Sequence, residues 1–84
     1  MQHASHPLIV KRLRRAEGHL RAISEMVAKE RPCLDLAQQL HAVENAVANA
    51  KRELIHDHIE HCLDDRAMNP KVALKELKAL TKYL

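Results

Sequence analysis

Aromatic residues and glycine are nearly absent from this chain, which has one Tyr, no Phe or Trp, and one Gly in 84 residues. Protein modules that bind single-stranded nucleic acid stack bases on aromatic side chains, so that class is excluded. Glycine-rich phosphate loops are excluded as well, because they need several glycines within a few residues. Hydrophobic residues nevertheless make up 46% of the sequence, too many for a disordered polar tail. We therefore expect one small folded domain.

Long apolar runs are also missing. No stretch approaches the roughly 20 residues needed to span a bilayer, and residues 1–8 lack the apolar segment of a signal peptide. We expect a cytoplasmic protein with reduced thiols, no membrane partner and no small-molecule substrate. The formal net charge of +3 permits binding to a polyanion without demonstrating it.

Three prolines divide the sequence into three segments with helical periodicity, and no segment shows a strand pattern. Proline is favoured at the first position of a helix, and Asn69 before Pro70 is a good N-cap. The predicted fold class is all-α: a single domain over 1–84 with a mobile arm over 1–6 and helices over about 7–28, 32–64 and 70–84. In the first helix the apolar positions are Ile9, Leu13, Ala16, Leu20, Ile23 and Val27; in the third, those expected to face inward are Val72 or Ala73, Leu77, Leu80 and Leu84.

The length of the central helix predicts an oligomer. At about 1.5 Å per residue, some 32 residues span roughly 48 Å, whereas a compact domain of this size is about 30 Å across. Its apolar positions alternate in steps of four and three, as in a heptad seam: Leu36, Leu40, Val43, Val47, Ala50 and Leu54. We expect this seam to pair with another subunit. The alternative is that the helix breaks near Asn45 or Asn49 and folds back.

Two cysteines and one histidine have a metal-ligand layout that needs two chains. His58 and Cys62 are four residues apart, one helical turn, and can hold a metal together. Cys33 begins the same helix, and a straight helix holds its sulfur about 44 Å from that of Cys62. Antiparallel pairing of two copies brings Cys33 of one subunit to His58 and Cys62 of the other. The midpoint between the two cysteines falls near Val47, in the middle of the apolar seam.

The arm offers a fourth ligand, which bears on the choice of ion. His3 and His6 are both candidates, and His61 is placed as a surface or second-shell group of the site. Two thiolates and one imidazole suit Cu(I) in trigonal geometry. A fourth, imidazole ligand suits Ni(II), and Co(II) and Zn(II) are further candidates. Copper and nickel stay nearly level at this point.

Basic residues cluster on the first helix and recur on the second. Side chains of this kind neutralise the phosphates of DNA, and phosphate neutralisation then dominates the affinity for DNA. No helix-turn-helix signature is present, so we expect the protein to recognise its DNA sequence through DNA shape and a few base contacts. The alternative is that these basic residues form a solvated helix face that binds no DNA. The candidate DNA-binding residues are Lys11, Arg12, Arg14, Arg15, Arg21, Lys51 and Arg52.

Three segments make the resemblance to a known family specific. They are RLRRAEGHLRAI at 12–23, RPCLDLAQQLHAV at 31–43 and LIHDHIEHCL at 54–63. With the helix pattern they cover nearly the whole chain. The sequence resembles the copper-sensitive operon repressor family, small all-helical bacterial repressors that include nickel/cobalt sensors and formaldehyde sensors.

The resemblance implies a fold, an assembly and a function. It implies a homodimer with antiparallel long helices and a homotetramer built as a dimer of dimers. It implies a metal-responsive repressor, not an enzyme, that binds operator DNA in the apo form and is released by metal, controlling efflux or resistance genes. The family's metal ligands map onto Cys33, His58 and Cys62, and its second-shell glutamate maps onto Glu76.

Departures from the family pattern keep two alternatives open. Gln2 stands where the formaldehyde branch has proline, and His58 is present where the persulfide branch lacks a histidine. Both departures make an aldehyde or persulfide sensor a weaker hypothesis than a metal sensor. Pro32 replaces the Tyr that copper members typically carry, and Asn49 replaces an arginine that some members use for DNA, with Lys51 and Arg52 as substitutes. The second alternative is a metal-storage or chaperone protein with the same ligands.

Overall fold

The computed structural model describes residues 6–64 and 69–84, with the side chains of 62–64 outside the description. It contains three helices, α1 (His6–Ala28), α2 (Cys33–Asp64) and α3 (Pro70–Thr81). α1 and α2 form an antiparallel hairpin, since the start of α1 meets the end of α2, where His6 lies 3.9 Å from Asp57. α3 packs against α2 with a much smaller interface. The all-α class and the three-helix protomer are confirmed.

α2 is continuous for 32 residues, so the alternative of a break near Asn45 or Asn49 is wrong. Its interior contains neither Pro nor Gly, the residues that most readily interrupt a helix. The protomer is accordingly elongated, measuring 54 × 24 × 13 Å along its principal axes. In the part of the chain that the structure describes, no helix combines the length and apolar character needed to cross a bilayer.

The core of the hairpin is thin and uses only part of each apolar stripe. α1 buries Ile9, Ala16 and Ile23, which recur every seven residues. α2 buries Val43 and Ala50, also seven apart. The expectation that the whole α2 seam pairs with another subunit is therefore wrong for these two residues, because α1 of the same chain covers them.

The other half of each stripe stays partly exposed and lines an apolar groove between α1 and α2. On α2, Leu40, Val47 and Leu54 keep 40%, 44% and 42% of their surface exposed. On α1 the exposed members again recur every seven residues. We call the following residues the apolar groove: Leu13, Leu20, Leu40, Val47 and Leu54.

The helix ends differ slightly from the prediction. α1 begins at His6, which was assigned to the arm, so Pro7 is its second residue. Pro32 precedes α2 instead of opening it, and its carbonyl accepts the first helical hydrogen bond, from the Leu36 N–H at 3.1 Å. α3 ends at Thr81, because the chain turns at residues 82–83. Leu84, predicted to face inward, consequently has 65% of its surface exposed. Of the two alternatives at the start of α3, Val72 is 54% exposed and Ala73 is half-buried, so Ala73 is the inward residue.

The turn between α1 and α2 forces a side chain into the left-handed region. Glu30 has φ of +56°, and two bonds close the end of α1: the Arg31 N–H donates to the Met26 carbonyl at 3.1 Å, and the Glu30 N–H to that of Val27 at 3.0 Å. This is the Schellman arrangement, in which glycine usually occupies the left-handed position. Cβ at that position costs about 1–2 kcal/mol.

Glu30→Gly should therefore stabilise the hairpin. Removing Cβ relieves the left-handed strain, the extra freedom of glycine in the unfolded chain offsets part of this, and the net gain is about 0.5–1 kcal/mol. A urea titration at fixed protein concentration measures it. Glu30→Ala is the matched control, since it removes the charge and keeps Cβ. Equal midpoints for the two variants would contradict the prediction.

Candidate metal centre and basic surface

His58 and Glu76 meet where α3 packs on the end of α2. Nε2 of His58 lies 3.3 Å from Oε2 of Glu76, and the two side chains are 26% and 46% exposed. The Asn69 cap fixes the start of α3, since its Oδ1 accepts the Lys71 N–H at 2.9 Å. The structure thus brings together the histidine and the glutamate that the family resemblance pairs.

The Glu76 carboxylate selects which imidazole nitrogen is available to a metal. A carboxylate beside Nε2 favours a proton on that atom, which leaves the lone pair on Nδ1. A carboxylate in this position also makes the imidazole a stronger donor. This contact would favour His58 as a nitrogen ligand, and imidazole beside cysteine is a donor set suited to a metal that prefers thiolate and imidazole.

Cys33 lies at the opposite end of the same helix. It is a free, exposed cysteine and the first residue of α2. Cys33 and His58 are separated by 25 positions, so they are about 38 Å apart along the axis. Cys62 belongs to the last turn of α2, but its side chain is among those not described. Within the described residues of one protomer, no group of three or more His, Cys, Asp or Glu side chains is arranged to hold a metal ion. Any site using both Cys33 and His58 needs a second copy.

The remaining candidate ligands lie at the His58 end or beyond the described ranges. His6, on the first turn of α1, has Nε2 3.9 Å from Oδ2 of Asp57. His61 is half-buried, and its Nε2 is inaccessible to solvent. His3 falls in residues 1–5, which the structure does not describe. His6, His58 and His61 therefore belong to the same end of the protomer, but they do not form a ligand cluster there among the described side chains.

The face of α2 that carries the ligands is also the face of the apolar groove. Cys33, Leu40, Val47 and Leu54 follow one another in steps of seven, and His58 comes four residues after Leu54. Steps of seven and four return to the same side of an α-helix. Cys33, His58 and the uncovered apolar residues of α2 therefore face in the same direction.

The predicted DNA-binding residues separate onto several faces. Arg12 pairs with Glu53 of α2, and Arg21 pairs with Glu17 at 3.3 Å. Arg12 and Arg15 line a shallow depression with His19, on the other side of the α1–α2 contact from the apolar groove. Lys11 and Arg14 are exposed elsewhere on α1.

Neighbouring basic residues on α2 have different surroundings. Lys51 lines the apolar groove beside Val47 and Leu54. Arg52, the next residue, lies on the outer side of α2 and donates a hydrogen bond to the Asn49 side chain. The two substitutes proposed for a helix 2 arginine therefore do not serve one surface together.

Sequence reasoning missed a basic stripe on α3. Its three lysines and Lys82, which caps its end, recur in steps of four, three and four, so they share one exposed face opposite the inward apolar residues of the helix. The signal that could have found it is this spacing, which is present in the sequence itself. The stripe consists of Lys71, Lys75, Lys78 and Lys82.

Comparison with known proteins identifies the family. Residues 5–83 match the family model described as metal-sensitive transcriptional repressor, and the chain belongs to that family. The resemblance found in the three sequence segments is confirmed.

Several relatives are copper sensors. The copper-sensing transcriptional repressor CsoR of Bacillus subtilis is 42% identical over 57 residues, 68% of this chain and 56% of the relative. The copper-sensing repressor RicR of Mycobacterium tuberculosis is 38% identical over 53 residues, 63% of this chain and 55% of the relative. CsoR of Mycobacterium ulcerans is 32% identical over 74 residues, 86% of this chain and 63% of the relative. The chain thus spans between 55% and 63% of these relatives' length.

A solved structure with the same fold belongs to a nickel-responsive protein. The nickel-responsive transcriptional regulator InrS superposes with a TM-score of 0.83 at 33% identity, covering 100% of this chain and 98% of the other. Similarity therefore extends to both copper-sensing and nickel-responsive proteins. Copper and nickel are also the two ions between which the predicted ligands did not decide.

Glu76→Gln should weaken metal binding without unfolding the protein. The amide is nearly isosteric with the carboxylate but carries no charge to hold the proton on His58 Nε2. Loss of such an outer partner typically lowers metal affinity by about 10–100-fold. Competition with a chromophoric Cu(I) or Ni(II) chelator measures the affinity. Glu60→Gln, the same change at an exposed position of α2, is the control; equal affinities for the two variants would contradict the role given to Glu76.

Proposed function

We propose that this chain is a metal-responsive transcriptional repressor that binds operator DNA without metal and leaves it when Cu(I) or Ni(II) binds. Its targets are metal efflux or resistance genes. The observation that carries the proposal is the placement of Cys33 and His58 at opposite ends of one continuous helix, on the same face as the uncovered apolar groove. Family membership supports the regulatory role.

The metal site is shared between subunits. In an antiparallel pair of α2 helices, Cys33 of one subunit meets the partner subunit's His58 and the partner subunit's Cys62, and two-fold symmetry produces two such sites. Pairing also covers the apolar groove, whose residues are already partly shielded, so each contributes about 1 kcal/mol on full burial. Two such dimers assemble into a tetramer.

The donor set is soft and admits either ion. Cu(I) is satisfied by the two thiolates and His58. Ni(II), and likewise Co(II) or Zn(II), takes a fourth ligand, for which His6 at the His58 end and His3 are the candidates. When bound, the metal supplies a fixed link between the two ends of the paired helices.

DNA binding rests on the exposed cations of α1. Within the described residues, Lys11, Arg14 and Arg15 form no ion pair with an acidic side chain of the same chain, so they are available for phosphate. Arg12 and Arg21 form ion pairs with Glu53 and Glu17. These two arginines contribute to DNA binding only when they exchange the glutamate for a phosphate. A tetramer repeats this surface four times, which makes the affinity strongly dependent on salt.

The switch couples the ligand face of α2 to the basic surface of α1 through the hairpin. Linking Cys33 to the partner subunit's His58 fixes how the two hairpins lie against each other, and this moves the α1 cations of the two subunits relative to the DNA. A coupling free energy of about 1–3 kcal/mol is typical of allostery and lowers DNA affinity by about 5–150-fold.

Cys33→Ala and His58→Ala should each leave metal-free DNA binding intact and abolish the metal response. Fluorescence anisotropy with labelled DNA from upstream of the gene for this chain, with and without Cu(I) or Ni(II), measures both affinities. His41→Ala is the control for His58→Ala, since His41 is an exposed histidine of the same helix. Equal affinity of the wild-type protein with and without either metal would refute release by metal.

Arg14→Ala should weaken metal-free binding and reduce its salt dependence. Each phosphate that the variant no longer neutralises reduces the steepness of log affinity against log salt by about 0.9, multiplied by the number of subunits on the DNA. Anisotropy titrations at several salt concentrations give the slope. Lys75→Ala in the α3 stripe is the comparison: a larger loss there would move the DNA surface from α1 to α3.

The exposure of Cys33 supports a second candidate, a thiol-based sensor of persulfides or aldehydes. An exposed cysteine at the start of a helix is accessible to such reagents. Mass spectrometry after exposure to each reagent tests this function, and an unmodified Cys33 excludes it. Native mass spectrometry with copper and nickel reports subunit number and metal stoichiometry for the favoured function.

A further inference from the structure

Two opposite charges interrupt the apolar lining of the groove. Glu44 and Lys51 line it on either side of Val47, with Leu20 and Leu40 close by. Both charged residues are exposed, and within the described residues neither forms an ion pair in its own protomer. They lie seven residues apart, about 10.5 Å along the axis, which is too far to pair with each other. A groove that buries on dimerisation would leave both charges without partners unless the second copy supplies them.

The positions of these charges match the positions of the metal ligands. The midpoint between residues 44 and 51 falls between Val47 and Ala48, and so does the midpoint between residues 33 and 62. In an antiparallel pair centred at that point, residue 33 lies across from residue 62 of the partner. In the same register, residue 44 lies across from residue 51 of the partner.

We infer that Glu44 of each subunit forms an ion pair with Lys51 of the other, and that these two reciprocal pairs set the register that assembles the metal site. The inference rests on the antiparallel dimer of the proposed function and adds what fixes its alignment. The occupant of the groove is therefore a second copy of this chain, chosen by charge complementarity.

The apolar residues cannot set this register by themselves. Leu40, Val47 and Leu54 repeat every seven residues, so a slip of one heptad again places apolar residues against apolar residues. The same slip separates Cys33 from its partner ligands by about 10 Å, which destroys the site. It also brings Glu44 against Glu44, or Lys51 against Lys51, depending on its direction. Parallel pairing in register likewise opposes like charges. The ion pairs thus disfavour each alternative that the apolar surface tolerates.

The inference also changes the role of Lys51. Its charge alone suggested a DNA contact, but Lys51 lines the apolar groove that the second copy would cover, whereas Arg52 donates a hydrogen bond to Asn49 and does not line the groove. The aliphatic stem of Lys51 covers groove residues while its charge reaches the rim. Lys51 is therefore a pairing residue, and the DNA surface remains on α1.

Charge reversal provides the test. Glu44→Lys alone places two lysines against each other at both pairs, and Lys51→Glu alone does the same with glutamates, so each homodimer should dissociate at least 10-fold more readily in sedimentation equilibrium. The double variant E44K/K51E restores both pairs in reverse and should dimerise within about threefold of wild type. Glu25→Lys, on α1, and Lys29→Glu, in the turn after α1, are the controls, since both residues are exposed and neither lines the groove.

Mixing the two single variants is the decisive arm. In a heterodimer of E44K with K51E, each of the two 44–51 contacts joins a lysine to a glutamate, so the mixture should dimerise within about threefold of wild type although neither single variant does so alone. Oxidation should cross-link Cys33 to the partner's Cys62 in wild type, in E44K/K51E and in the mixture, but not in either single variant alone. DNA affinity of E44K/K51E should stay within about threefold of wild type.

The outcomes separate this inference from the proposed function. If the wild-type chain forms no dimer, the shared metal site fails and the inference with it. If it dimerises but the single variants dimerise and cross-link equally well, the ion pairs are refuted while the shared site stands. A 10-fold loss of DNA affinity in a fully dimeric E44K/K51E would return Lys51 to the DNA surface and overturn its assignment to pairing.

Discussion

The rigidity of α2 governs everything else in this molecule. A continuous helix of 32 residues holds Cys33 and His58 at a distance that no side-chain movement closes. Cys33 at one end and His58, beside Glu76, at the other end therefore cannot meet within one protomer. Because both lie on the same side of α2 as the apolar groove, one antiparallel contact of the kind we propose would cover the groove and complete both metal sites. Metal sensing in the proposed mechanism is consequently a property of the interface.

The hairpin supplies only part of the stability that such an assembly needs. α1 covers Val43 and Ala50 and leaves Leu40, Val47 and Leu54 largely exposed, so each apolar stripe is divided between an intrachain contact and an open face. In the proposed dimer, folding and association are linked, and we expect the measured stability to depend on protein concentration. α3 adds a small contact, but it carries Glu76, which makes it more important to the site than to the core.

Much of the fold was predictable because local signals agreed. Prolines, the Asn69 cap and seven-residue apolar repeats located all three helices, and helical rise alone separated Cys33 from His58. The division of the seam was not predictable, since Val43 and Val47 are equally apolar and only the packing of α1 distinguishes them. Lys51 and Arg52 illustrate the same limit: they are adjacent in sequence but about 100° apart around the helix, so their roles depend on which side α1 occupies. The Arg12–Glu53 ion pair joins residues that are distant in sequence, so no local sequence pattern predicts it.

The open groove has a consequence for how much of this protein a cell retains. A newly made protomer displays large, half-exposed leucines and valines over most of its length, the kind of surface that chaperones and proteases engage. In the proposed dimer a second copy covers that surface, so we expect the lifetime of each copy to rise with the number of copies already present. Dilution should then shorten survival and accumulation should lengthen it, before any metal or DNA is bound.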